Sequence, residues 1–192
     1  MPPSPAALDE PESQMAATSW AAVSERVRRA HLAGSRIVAV GCFRVRHGDN
    51  RISRFLARLL RLPVAAEASI VRLTVTRLRH GERWVRVFGN RSLTTTQRRL
   101  PGPLLAERYR FLDFRYQLEQ EGRAVVHRQR SVFLRLGPFA ARLPRWLAPL
   151  VKAHEEPGAR RDESAVSVEV FLPLVGLLLA YGGMIRFEER CS

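Results

Sequence analysis

Apolar and polar residues alternate along most of the chain from residue 36 onward, with the period of two that is typical of β-strands. Glycine-containing pairs such as His80-Gly81 and Gly89-Asn90 fall between these stretches and favour tight hairpin turns. The sequence therefore predicts antiparallel strands at Arg36–Arg46, Ile70–Arg79, Glu82–Phe88, Ser92–Arg99, Leu104–Leu118, Arg123–Leu136, Ala165–Leu172 and Leu177–Phe187.

Two segments near the N-terminus have the period of an amphipathic helix instead. The first begins at a capping residue, Thr18 or Ser19. The second lies between the turn HGDN and Pro63, and its polar positions are filled by arginines. We expect its apolar stripe to pack on the sheet, as in most globular proteins. The alternative is that this helix lies on an anionic membrane.

These elements predict an α+β fold with a strongly curved antiparallel sheet, or a partly closed β-barrel, of about eight strands and two helices near the N-terminus. Residues 1–17 are rich in proline and are predicted to be a disordered tail, and residues 18–192 are predicted to form a single domain. Curved sheets of this kind commonly enclose a cavity for an apolar ligand.

The charge of the chain is strongly basic, with a formal net charge of +14. Lys152 is the single lysine, so arginine supplies 31 of the 32 basic residues, a bias that either function or genome composition explains. Such a chain has affinity for anionic surfaces. Nucleic-acid binding is the less favoured use, because these arginines are scattered; its candidate surface is Arg72, Arg77, Arg79, Arg83, Arg98 and Arg99 with Trp84, Tyr109 and Phe111.

Neither a secretory signal nor a membrane-spanning segment is recognisable in the sequence. The first residues lack a basic region followed by an apolar one. The longest apolar run, Phe171–Ile185, is interrupted by Pro173 and is shorter than the roughly 20 residues that a spanning helix needs. We therefore expect a soluble, cytoplasmic protein.

The middle strand ERWVRVF carries the most specific pattern of polar residues. Glu82, Trp84 and Arg86 share one of its faces with Phe88. Glu82 and Arg86 are about 13 Å apart along a strand, so each needs another partner. Glu107 is the partner expected for Arg86, and Tyr181 can add a hydroxyl group. The candidate ligand-binding residues are Glu82, Trp84, Arg86, Glu107, Tyr181 and His31. The alternative is a buried ion pair among core aromatic residues, without a ligand.

Known catalytic patterns are absent from the sequence. The five histidines and two cysteines lack metal-ligand spacing. The chain also lacks G-x-S-x-G, P-loop and G-x-G-x-x-G motifs. We therefore predict no cofactor and no metal, assign no catalytic residue, and consider an enzyme less favoured than a binding protein. An enzyme with an unfamiliar site around Glu82, Arg86 and Glu107 stays open.

Several blocks of the sequence occur in the order that is typical of one protein family. They are RHGDNRISRFLARLLRLP, ERWVRVFG, LLAE, LPRWLAP and VFLPLVGLLLAYGG, preceded by His31. In this order the chain resembles the bacterial family catalogued as domain of unknown function 4166. Activity and catalytic residues are unassigned in that family. Similar domains occur alone or joined to nucleotide-cofactor oxidoreductase-like or membrane segments, so the resemblance implies an accessory role.

Three functions are therefore weighed. The favoured one is binding of an apolar or amphipathic small molecule in a cavity between sheet and helices. The second is docking to an oxidoreductase partner or an anionic membrane surface through the helix Arg51–Arg61. The third is the enzyme with an unfamiliar site.

Overall fold

The computed structural model describes residues 36–101, 104–122, 124–160 and 162–188. The predicted tail, the helix expected from Thr18 and the candidate His31 lie outside these ranges. The described residues form eleven strands and one helix: β1 (Arg36–Arg46), α1 (Arg51–Leu59), β2 (Ala66–Leu78), β3 (Gly81–Phe88), β4 (Arg91–Arg99), β5 (Leu104–Tyr109), β6 (Leu112–Glu121), β7 (Ala124–Leu136), β8 (Phe139–Arg142), β9 (Leu150–Pro157), β10 (Glu163–Leu172) and β11 (Gly176–Phe187).

Ten of the strands close into an antiparallel barrel. They follow one another in the order β1 to β7 and then β9, β10 and β11. The barrel closes because β1 pairs with β11 as well as with β2, and β6 pairs with β7. The short strand β8 is an addition to the edge of β7. The predicted curved antiparallel sheet is confirmed, and it is a closed barrel.

Alternation places one row of apolar side chains of each strand inside this barrel. On β1 and β2, the buried residues Ile37 and Ala39 pair with the buried residues Val75 and Leu73. Burial of β-branched and aliphatic side chains on the inner face is the main contribution to the stability of such a sheet.

Glycines allow β1 and β11 to approach closely at the point of closure. A Cβ atom on Gly183 would lie 2.1 Å from the carbonyl oxygen of Cys42, and one on Gly41 would lie 2.2 Å from that of Met184. Only a residue without a side chain fits at such distances. The two glycines therefore bring together the first and last strands of the barrel.

Helix α1 connects β1 to β2 at one end of the barrel, which we call the helix end. The side chain of Asn50 caps it by accepting a hydrogen bond from the backbone N–H of Ser53 at 2.7 Å. Ser53 and Ala57 are its buried residues. The large apolar residues Ile52, Phe55 and Leu59 are instead exposed. The prediction that the apolar stripe packs on the sheet is therefore wrong for these three residues, because the small side chains form the closest contact, whereas Leu56 and Leu60 of the stripe are half-buried.

The structure has more strands than the eight predicted, and the predicted α+β class with two helices is matched only in part. The predicted strand Leu104–Leu118 is two strands, because Arg110 adopts a positive φ of 52° in a turn between β5 and β6. The segment that follows β7 lies outside the predicted strands, and it contains β8. Residues 150–157 also lie outside the predicted strands, and they form β9. The described part of the chain holds one helix, so it is almost entirely β-structure. This helix is too short to cross a membrane.

Candidate functional site

The predicted face of β3 points into the barrel. Trp84, Arg86 and Phe88 lie opposite Val75, Leu73 and Val71 of β2, respectively. All three valine and leucine side chains are buried in the core. Neighbouring residues across a sheet share a face, so the charged and aromatic residues of β3 lie among apolar side chains of the interior.

Arg86 forms the centre of a polar cluster within this interior. Its Nη2 atom lies 3.9 Å from Oε1 of Glu107 on β5. Its Nη1 atom donates a hydrogen bond to the hydroxyl of Thr95 on β4 at 3.2 Å. The guanidinium also lies over the ring of Trp84, with 5.2 Å between its Cζ atom and the ring centroid. Three strands therefore hold one guanidinium group.

Glu82 and Trp84 interact with each other on the same face of β3, towards the start of the strand. The indole Nε1–H of Trp84 donates a hydrogen bond to Oε2 of Glu82 at 3.1 Å. Glu82 and Arg86 thus contact different partners, as their separation along the strand predicts. The indole ring connects them, because it contacts the guanidinium with its face and the carboxylate with its edge.

Aromatic rings line the interior on both sides of this polar cluster. Tyr181 is in contact with Phe43 and Phe88, with ring centroids 6.0 and 5.3 Å away. On the opposite wall Tyr116 stacks on Phe114 at 6.0 Å. These rings belong to two separate apolar clusters of the core. The interior of the barrel is therefore mainly apolar. The cluster around Arg86 lies within it, and we call this cluster the polar centre.

Burial holds the two tyrosine hydroxyls in their neutral form. It raises the pKa of Tyr116 well above the ordinary value of 10.0, and the negative charge of Glu107 adds to this effect while Arg86 opposes it. Burial also raises the pKa of Tyr181, with the same two charges acting in opposite directions. Both groups can therefore donate or accept hydrogen bonds without carrying charge.

His127 of β7 lies beside Tyr116 on the same wall of the barrel interior. Its ring meets Tyr116 edge to face at 5.7 Å, and its Nδ1 atom is buried without a hydrogen-bond partner among the described residues. Burial lowers the pKa of His127 from the ordinary value of 6.5, Glu107 opposes that shift, and Arg86 contributes to it. A neutral imidazole nitrogen with no partner is a site at which a bound molecule can make a hydrogen bond.

The polar centre is partly accessible to solvent. The side chains of Arg86 and Glu107 keep exposed fractions of 17% and 16%, although both point inward. Protein interiors are normally packed without space for water-sized molecules. This ion pair, by contrast, remains accessible to solvent.

A second buried carboxylate, Asp113, lies on the outer face of the sheet. Its Oδ2 atom is 3.0 Å from Nε of Arg135 and 3.5 Å from Nη2 of Arg115. It is adjacent to Phe114, which faces inward. Asp113 and Glu107 therefore do not form a pair of carboxylates in one site. Within the described ranges there is also no group of three His, Cys, Asp or Glu residues that could hold a metal ion.

Five of the six predicted site residues can be located in the structure. Glu82, Trp84, Arg86, Glu107 and Tyr181 all point into the barrel, and Glu107 is the partner of Arg86. The sequence interpretation missed Thr95, Tyr116 and His127. The alternation that places Phe114 on the inner face also places Tyr116 there, so Tyr116 could have been predicted. The sequence around His127 does not indicate which face its side chain occupies.

The surface considered for nucleic-acid binding is divided between the two faces of the sheet. Its arginines, such as Arg83, are exposed. Trp84 points inward, and the hydroxyl of Tyr109 donates a hydrogen bond to the carbonyl oxygen of Leu60. The two rings are therefore not arranged beside the arginines for stacking with bases.

Comparison with known proteins gives one match. The family model described as "Domain of unknown function (DUF4166)" matches residues 23–185. Neither a curated protein nor a solved structure matches the chain.

Proposed function

The chain belongs to the family described as domain of unknown function DUF4166, and we propose that its barrel binds an apolar or amphipathic small molecule. The observation that carries this proposal is the partly solvent-accessible ion pair of Arg86 and Glu107 among the apolar side chains inside the barrel. Ligand sites are typically apolar cavities with a small number of converging polar groups. The interior of this barrel has that composition.

The polar centre favours a ligand with an uncharged head group. Arg86 and Glu107 neutralise one another, so an additional buried charge would lack a counter-ion there. The hydroxyl groups of Tyr116 and Tyr181 and the free Nδ1 atom of His127 are neutral hydrogen-bonding groups. A hydroxyl or carbonyl group of the ligand suits these partners, and its apolar part suits the surrounding Phe43 and Phe88.

Native mass spectrometry of the gently purified protein tests this proposal. We expect the wild-type protein to carry a co-purifying small molecule and Arg86→Leu/Glu107→Leu to lose it. Arg44 and Glu67 form an exposed ion pair at 2.9 Å, so Arg44→Leu/Glu67→Leu is the matched control and should retain the ligand. Unliganded protein from several expression conditions, together with failure to take up the apolar dye Nile red, would contradict the proposal.

A further inference from the structure

The outer surface of helix α1 is an apolar ridge formed by Ile52, Phe55 and Leu59. These residues are spaced at i, i+3 and i+7, so they lie on one side of the helix. Their exposed fractions are 59%, 62% and 61%, whereas Ser53 and Ala57 on another side are buried. Large apolar residues aligned in this way mark a surface that contacts a partner.

A row of arginines follows the same helix beside the ridge. Arg51, Arg54 and Arg58 are all exposed, and Arg61 follows immediately after the helix. The sequence of α1 contains no acidic residue. An apolar ridge beside a purely basic row is the pattern of a helix that lies in the interface of an anionic membrane.

The ridge continues onto the neighbouring turn at the helix end. The amide of Asn50 donates a hydrogen bond to the carbonyl oxygen of Val175 at 2.7 Å, which holds the turn between β10 and β11 against the start of α1. Leu174 in this turn is 73% exposed. The adjacent Pro173 belongs to a cleft of about 580 Å³ that is also lined by Arg142 and Arg145.

Exposed apolar residues also lie on the other side of this cleft. Trp146 and Leu147, in the segment between β8 and β9, are exposed, as is Phe139 at the start of β8. Exposed apolar residues and arginines therefore extend from α1 across the helix end. A phospholipid surface provides acyl chains for the first group and phosphates for the second.

We propose that the helix end docks onto the surface of an anionic phospholipid bilayer, with Ile52, Phe55 and Leu59 inserted among the acyl chains. A second copy of the chain suits this surface less, because it would place two basic rows against each other. Docking does not depend on the ligand proposed for the barrel, since the two sites share no side chain.

Vesicle flotation with the full-length chain tests this docking. Wild-type protein should float with vesicles of phosphatidylcholine and phosphatidylglycerol and not with phosphatidylcholine alone. Arg54→Gln/Arg58→Gln should weaken partitioning by about 25-fold, since each basic residue near such a surface contributes about fivefold. Phe55→Ser/Leu59→Ser should abolish flotation with the anionic vesicles, because the apolar side chains that insert among the acyl chains are lost.

Matched controls come from the opposite end of the barrel, where β2 meets β3. Leu78 is 45% exposed there, and Arg77 and Arg79 flank it. Leu78→Ser and Arg77→Gln/Arg79→Gln should bind vesicles like the wild type. Circular dichroism should show that all variants are folded.

Three outcomes would overturn the proposal. One is binding that is equal with and without phosphatidylglycerol, and another is equal loss in the control variants. The third is a change of oligomeric state in Phe55→Ser/Leu59→Ser without a change in flotation, which would assign the ridge to contact between copies of the chain. Arg86→Leu/Glu107→Leu should float normally, so failure of the barrel ligand and failure of docking are distinguishable.

Discussion

Arg86 on β3 and Glu107 on β5 meet across the strand between them, with 3.9 Å separating Nη2 and Oε1 inside the barrel. The length of the arginine side chain makes this contact possible, and Thr95 of the intervening strand binds the same guanidinium. The pair therefore connects three strands and determines the polarity of the interior.

Removal of one member of this pair should destabilise the fold more than removal of both. Glu107→Leu leaves a guanidinium inside the barrel with only part of its hydrogen bonds, which costs about 1–3 kcal/mol or more. Arg86→Leu/Glu107→Leu should recover much of that loss, because two apolar side chains replace the ion pair. Urea unfolding of the single and double variants measures this coupling. Additive single effects would contradict it, and the exposed pair of Arg44 and Glu67 should give at most about 1 kcal/mol.

His127 should make the folded state less stable in acid. Its pKa is lowered from 6.5 by burial, so the unfolded chain binds a proton more readily than the folded one. Stability from this residue is fully present above about pH 6.5 and falls as the pH drops through the lowered folded pKa. Urea unfolding between about pH 7.5 and pH 5 should show a smaller loss for His127→Gln than for the wild type. An equal loss in both proteins would show that carboxylates alone cause the acid sensitivity.

Closure of the barrel should depend on the absence of a side chain at residue 183. A Cβ atom there would lie 2.1 Å from the carbonyl oxygen of Cys42, so Gly183→Ala should separate β11 from β1 and lower the melting temperature by several degrees. Gly182→Ala is the matched control, since its nearest backbone contact is 3.0 Å and a smaller shift accommodates it. Equal melting temperatures for the two variants would argue against this account of closure.

Helix α1 should tolerate substitutions on its outer side but not on the side that packs against the barrel. Ala57 is 1% exposed against the barrel, so Ala57→Leu should cost about 1–3 kcal/mol through overpacking. Phe55 is 62% exposed, and Phe55→Ser should change stability by less than about 0.5 kcal/mol. Thermal denaturation of both variants measures the difference. A larger loss in Phe55→Ser would mean that the ridge packs on the protein itself.

Much of the fold could be predicted from strand periodicity. Strand β1 has the predicted limits Arg36–Arg46, and the predicted face of β3 points into the barrel. The turn at Arg110 was missed because it contains neither glycine nor proline. Strand β9 was missed because ionisable residues occupy half of its positions and interrupt the apolar pattern.

The site was only partly predictable, because one irregularity changes which residues of β7 face inward. Val132 pairs with Phe114 and His127 pairs with Leu118, with a β-bulge between the two pairs. Without the bulge, alternation from the buried Val132 would place His127 on the outer face. The orientation of α1 was unpredictable for a different reason, since a helix stripe does not reveal whether the protein or a partner covers it.

Binding of Nile red to two variants of β10 tests the central claim most directly. Val168 is partly buried in the interior core, opposite Tyr181 on β11, whereas its neighbour Ser167 is exposed on the outer face. In Val168→Trp the larger indole should occupy the proposed ligand site inside the barrel and abolish the blue-shifted dye fluorescence that we expect from the wild type. Ser167→Trp should bind the dye like the wild type. Retained binding in folded Val168→Trp would place the dye outside the barrel and contradict the account.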